Sequence, residues 1–106
     1  MTLPKPLISV VIPTRDRSDT LRATLRALAH QASDQIEFVV QDNSVGSDTS
    51  DVVLEAMSRD PRIRHSRTPF PASQRQNFEL GLQAARGDYM AIIGDMAFAQ
   101  GLSTGW

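Results

Sequence analysis

Cysteine is absent from all 106 residues, which removes disulfides and thiolate metal sites from this stretch of chain. Aromatic residues make up 6% of it, and lysine occurs once, at Lys5. No apolar run approaches the roughly 20 residues of a membrane-spanning helix. The run from Leu7 to Ile12 behind Met1–Pro6 is too short for a signal-peptide core. Neither sign of charge dominates: eleven basic against twelve acidic residues leave −1, so composition gives no reason to expect nucleic acid or an anionic membrane as partner. The cations, almost all arginine, are scattered, and the loose group Arg59, Arg62, Arg64 and Arg67 reads as solvated surface. The glycine loops G-x-G-x-x-G and G-x-x-x-x-G-K-[ST] are missing too, which weakens the dinucleotide and P-loop readings. A cytoplasmic protein is the expectation, one that works at most at the edge of a membrane.

What is present is an alternation of elements. Leu7-Ile8-Ser9-Val10-Val11-Ile12 is a nearly continuous β-branched run stopped by Pro13, as suits a strand covered on both faces. Ser18 or Asp19 can cap a helix in which Leu21, Leu25 and Leu28 recur at helical spacing. Ile36 to Gln41 reads as a second strand, followed by the turn-forming Asp42-Asn43-Ser44-Val45-Gly46-Ser47. A second helix, capped from Asp48 to Ser50, offers Val52, Val53, Leu54 and Met57 as contacts. Arg62 to Ser66 predicts a weak edge strand. A third helix carries Phe78, Leu82 and Ala85 and is ended by Gly87, and Tyr89 to Ile93 forms a fourth strand.

This order predicts an α/β fold, a Rossmann-like parallel sheet with alternating helices. In such sheets ligands lie at the carboxyl ends of strands, near the point where strand order reverses. Thr14-Arg15-Asp16, Asp42-Asn43 and Asp95 occupy three of those ends and are expected to face one crevice. A carboxylate there can accept from a base N–H or a ribose hydroxyl, and it can hold Mg²⁺ or Mn²⁺ together with substrate phosphates. The same residues have plainer uses. Asp42 and Asn43 are common turn formers, Thr14 an ordinary loop hydroxyl, Arg15 and Arg17 solvated surface. Asn77 either caps a turn or faces a ligand. His30 and His65 have no ligand-spaced partners and read as surface or strand residues; Phe78 and Tyr89 read as core.

Ile8 to Arg17 with Thr20-Leu21, Val39 to Ser44 with Asp48-Thr49, Gln76 to Leu82, and Ala85 to Tyr89 together resemble the glycosyltransferases of family 2, whose fold is the A type. The resemblance covers nearly the whole chain, and four modest motifs in family order and spacing make it specific. It implies that residues 1–106 are a partial glycosyltransferase domain, the nucleotide-sugar-binding half, with the acceptor half missing. The implied substrate is a nucleotide-diphospho-sugar donor; the acceptor of the intact enzyme is a sugar, lipid or polysaccharide. The implied donor contacts are Pro13, Thr14, Arg15, Asp42, Asn43, Asn77 and Asp95, with Asp42 toward the nucleobase and Asp95 as ligand of a divalent metal, Mg²⁺ or Mn²⁺. The chain departs from the family at the metal motif, where Gly94-Asp95 runs into Met96-Ala97-Phe98 and leaves one carboxylate. The resemblance also implies inversion at the anomeric carbon by a carboxylate base, and no residue matches that base, so no catalytic residue is assigned. The expectation is therefore an enzyme by family whose 1–106 chain transfers no sugar; the rival is a non-catalytic fragment retaining at most nucleotide binding. A flavodoxin-like receiver would need an acidic pair after the first strand and a lysine after the last, and has neither.

Overall fold

The computed structural model describes residues 5–69 and 71–94. Seven elements alternate along them: β1 (Ile8–Thr14), α1 (Ser18–Leu28), β2 (Ile36–Asp42), α2 (Asp48–Arg59), β3 (Ile63–Arg67), α3 (Gln74–Ala84) and β4 (Tyr89–Ile92). The four strands form one parallel sheet in the order β3-β2-β1-β4. Strand order reverses between β1 and β4, which places the switch point beside the carboxyl end of β1.

The register sorts side chains onto two unlike faces. Val10, Ile12 and Thr14 of β1 align with Phe38, Val40 and Asp42 of β2, and these with Ile63, His65 and Arg67 of β3. The apolar members of this face pack with Leu21, Leu25 and Leu28 of α1 and Val52 and Val53 of α2, forming the core. The opposite face lies under α3 and is far more polar, carrying Ser9, Glu37 and Gln41 at 3% exposure or less. There α3 sits so close that a Cβ on Gly81 would stand 2.6 Å from Val11 Cγ1.

Several local expectations change in the folded chain. Pro13 does not stop β1, which continues to Thr14. Residues 9, 11 and 13 of β1 turn their backbone groups toward β4, as the Ile93 N to Val11 O bond shows. The proline's missing N–H therefore faces the side where β4 pairing has already ended, at Val11 with Ile92. Gly87 does not end α3; the helix stops at Ala84 with Ala85 extended. A Cβ at Gly87 would meet Ser9 N at 2.7 Å, so glycine is required there by close approach of two backbones. Leu54 is 57% exposed and Tyr89 67%, against the expectation that both pack inward. Tyr89 belongs to an edge strand whose four residues are all exposed. Two members of the arginine group are not simply solvated. Arg62 lies over the Phe38 ring and pairs with Asp60, and Arg64 pairs with buried Glu37.

Candidate functional site

At the carboxyl end of the sheet Thr14 aligns with Asp42 and Asp42 with Arg67. The ladder runs one step past each pair: Asn43 N donates to Thr14 O at 2.9 Å and Thr68 N to Asp42 O at 2.8 Å. Three loops consequently leave the sheet side by side. The β1–α1 loop turns at Asp16, whose φ of 50° is a left-handed conformation that aspartate tolerates better than most side chains. In that conformation Asp16 N donates to Ser44 Oγ at 2.7 Å, and its carboxylate accepts from Val45 N at 3.2 Å. Asp16 thus laces the first loop to the second.

Between these loops is an opening of about 300 Å³, lined by Arg15, Asn43, Ser44, Arg67, Thr68 and Ala72 among others. Its volume is at the lower end of small-molecule sites. Arg67 is held over it: one guanidinium nitrogen donates to Ser50 Oγ at 3.0 Å and the other to Ser44 O at 3.2 Å. Arg15 is exposed. Asn43 Nδ2 donates to Ala72 O at 2.8 Å and so fixes the third loop to the second. Two guanidiniums and an amide around one opening suit an anionic, hydrogen-bonding ligand.

Pro13, Thr14 and Asp42 are buried and stand behind this lining. The Asp42 side chain is 0% exposed. Its Oδ1 accepts from Ser44 N at 2.9 Å; its Oδ2 pairs with His65 Nε2 at 2.9 Å and receives a longer contact from Ser50 Oγ at 3.4 Å. Burial alone would push this carboxyl up, but hydrogen bonds from His65 and Ser44, with the charge of His65, outweigh it and hold the group below the usual aspartate value.

Asn77 is fully buried on the other face, under α3. Its Oδ1 accepts from Thr68 Oγ1, and its Nδ2 donates to Gln41 O at 3.2 Å. Gln41 Nε2 in turn donates to Thr68 Oγ1 at 2.9 Å, and Gln41 Oε1 is buried with no partner among the described residues. The structure therefore brings Thr14, Arg15, Asp42 and Asn43 to one end of the sheet, and sets Asn77 beneath Thr68 as a support of the third loop. Asp95 lies outside the described residues. Among those described, no three His, Asp or Glu side chains gather as a metal site, and no helix is long and apolar enough to cross a membrane.

Three contributors escaped the sequence reading. Thr68 lies just past the Arg62–Ser66 run that reads as a weak strand, and Arg67 belongs to the arginines that read as solvated surface. His65 read as an unremarkable strand residue, yet it pairs with the central carboxylate. The available signal was the two-residue alternation of Ile63, His65 and Arg67, which places His65 on the core face once β3 is set against β2.

Known proteins bear on this geometry. The sequence pattern of glycosyl transferase family 2 matches residues 9–95. An uncharacterized protein of Sinorhizobium fredii is 33% identical over 85% of this chain and 10% of its own length. The GalNAc(5)-diNAcBac-PP-undecaprenol beta-1,3-glucosyltransferase of Campylobacter jejuni is 26% identical over 85% of this chain and 29% of its own. The chain thus spans about a third or less of these curated relatives. Among solved structures, a mannosyltransferase from Pyrobaculum calidifontis, in complex with GDP-Man and Mn²⁺, superposes with a TM-score of 0.77 at 18% identity, covering 88% of this chain and 28% of that one. TarS of S. aureus gives 0.70 at 21% identity, covering 85% and 16%. At these identities the likeness establishes the fold.

Proposed function

Because the chain belongs to glycosyl transferase family 2, we propose that the opening at the carboxyl ends of β1, β2 and β3 receives the nucleoside diphosphate of a sugar donor. The observation that carries this reading is the lining itself, with Arg15 and Asn43 from the first two loops and Arg67 from the end of β3 converging on it. Arginine presents its donors in a planar fork suited to phosphate oxygens, and Asn43 and Ser44 offer polar atoms to a ribose or base. Pro13, Thr14 and Asp42 serve the same site from behind the loops, and Asn77 supports it through Thr68. In the complete reaction an acceptor hydroxyl on a sugar, lipid or polysaccharide forms a bond to the anomeric carbon. The nucleoside diphosphate departs with the electron pair of the broken bond, and a base takes the hydroxyl proton. A divalent cation would neutralise charge on the departing diphosphate. Asp95 is the sequence's one candidate ligand for it, so no step here is assigned to a metal. Since 1–106 covers about a third or less of the curated relatives, donor binding is the activity proposed for this chain alone.

Calorimetric titration with uridine, thymidine and guanosine diphosphates, with and without Mn²⁺, tests the reading. At least one is expected to bind, and Arg15→Ala should weaken it about tenfold, the loss of one charge-assisted hydrogen bond. Asp42→Ala should remove binding by releasing the loop that carries Asn43 and Ser44. No binding of any of the three, or unchanged affinity in both variants, would overturn it.

A further inference from the structure

Nothing in the proposed reaction asks for an imidazole, yet His65 meets the most enclosed carboxylate at the site. We infer that His65 is a positioning residue: its ring holds the Asp42 carboxylate, and Asp42 holds the 43–45 segment that walls the opening. This rests on the reading that the opening takes the nucleoside diphosphate, and it adds a dependence of that site on the charge of one histidine.

The chain of contacts is short. His65 Nε2 is 2.9 Å from Asp42 Oδ2, and the other oxygen of the same carboxylate accepts from Ser44 N at 2.9 Å. Ser44 Oγ is bound by Asp16 N at 2.7 Å and donates to Thr49 Oγ1 at 3.0 Å, while Val45 N is bound by the Asp16 carboxylate. A change at His65 therefore reaches Ser44 through one carboxylate, and Val45 and Asp16 one step later. The pair is enclosed, with the His65 side chain 16% exposed and that of Asp42 0%, so water screens it less than a surface pair. When the ring is cationic, it gives the carboxylate a charge-assisted hydrogen bond. When it is neutral, the bond survives only in the tautomer that carries the proton on Nε2.

Other charged groups approach from each packed element. Arg67 stands two residues along β3, bonded to Ser50 and to Ser44 O. Asp16 reaches over from the β1–α1 loop. The first turn of α2 carries Asp48 and Asp51, both exposed. None of these is an imidazole. The second histidine, His30, is exposed beyond the end of α1 and serves as an internal control. A midpoint shared with the His65 ring thus identifies its source.

The experiment follows the ring resonances of both histidines and the backbone amides of the 1–106 chain by NMR across about pH 5 to 8, the range in which imidazoles change charge. Affinity for uridine and guanosine diphosphates is measured over the same range. Ser44 and Val45 amides are expected to shift with the His65 midpoint and not with that of His30, and nucleotide affinity to fall about tenfold as His65 loses its proton. His65→Gln, which keeps a neutral donor, should stay within about threefold of the wild type with its ring neutral and lose the pH dependence; His65→Leu, which has no donor, should fall below both at every pH. Amides and affinity that stay flat while His65 titrates would overturn the inference, as would wild-type behaviour in His65→Leu. If that variant does not fold, the wild-type titration and His65→Gln still decide. If no nucleotide binds the wild type, the proposed function fails. The amide shifts alone then decide whether His65 positions the loop.

Discussion

Glu37 shows what a single buried charge contributes here. It is 3% exposed on the α3 face and accepts from Ser9 Oγ, from Arg86 N at 2.7 Å, from Arg86 Nε at 3.1 Å and from Arg64 Nη1 at 2.7 Å. Burial would push its carboxyl up; the hydrogen bonds from Ser9, the Arg86 amide and Arg64, with the charge of Arg64, overcome that and hold it below the usual glutamate value. A carboxyl lowered in the folded state adds stability above its unfolded pKa and loses it as pH falls through the folded one. Resistance to urea should therefore fall with acidification below about pH 4.3, the ordinary glutamate value, and this part of the decline should flatten in Glu37→Gln. Glu37→Ala should cost about 1–3 kcal/mol at neutral pH, because buried Ser9 and the Arg86 amide lose their acceptor while water screens the partly exposed Arg64 and Arg86 guanidiniums. An unchanged denaturation midpoint in Glu37→Ala would show that the network contributes nothing net.

At the scale of elements, α3 sets the thickness of the polar face. Ser73 caps it, its Oγ accepting from Gln76 N at 3.1 Å while Gln76 Oε1 accepts from Ser73 N at 2.9 Å. The helix then lies directly on the sheet at Gly81. Glycine in a helix interior is ordinarily a defect of about 1 kcal/mol relative to alanine. Here the new methyl would stand 2.6 Å from Val11 Cγ1 and 3.3 Å from Gln41 Cβ, both on fully enclosed side chains. Val11 is β-branched and cannot swing aside. Gly81→Ala is therefore expected to destabilise by about 1–3 kcal/mol despite its better helix propensity, read as a lower melting temperature by circular dichroism. A gain in stability would mean that α3 can lift without loss.

At the scale of the whole sheet, the notable feature among the described residues is the exposed flank at β4. Tyr89, Met90 and Ile92 are 67%, 50% and 40% exposed, beside Leu7 at 40%. An apolar edge strand is a template for pairing with another chain. The isolated 1–106 chain is expected to self-associate as its concentration rises, measured by sedimentation velocity. Met90→Lys should reduce that association with little change in melting temperature, because Met90 is half exposed. Equal association in both chains would clear β4 of responsibility.

The sequence by itself determined the order of elements, the parallel sheet and two of the segments that line the opening, those after β1 and β2; the lining from the end of β3 it did not show. Each follows from a local pattern: β-branched runs at Ile8–Ile12 and Ile36–Val40, leucines at helical spacing from Leu21 to Leu28, polar residues after each strand. Motif order further supplied the family. Tertiary structure alone decided which polar residues face the opening and which support it. Asp42, Asn43 and Asn77 are equally polar on paper, yet Asn43 lines the opening while Asp42 and Asn77 are sealed behind it. The difference arises because a strand's alternation fixes only two faces, and the partner that closes each face comes from distant chain. His65 lies 23 residues from Asp42, Thr68 27 from Gln41 and Asp16 28 from Ser44. Contacts over such separations leave no local trace, so they exist only once β3 is set beside β2 and the first loop is turned over the second.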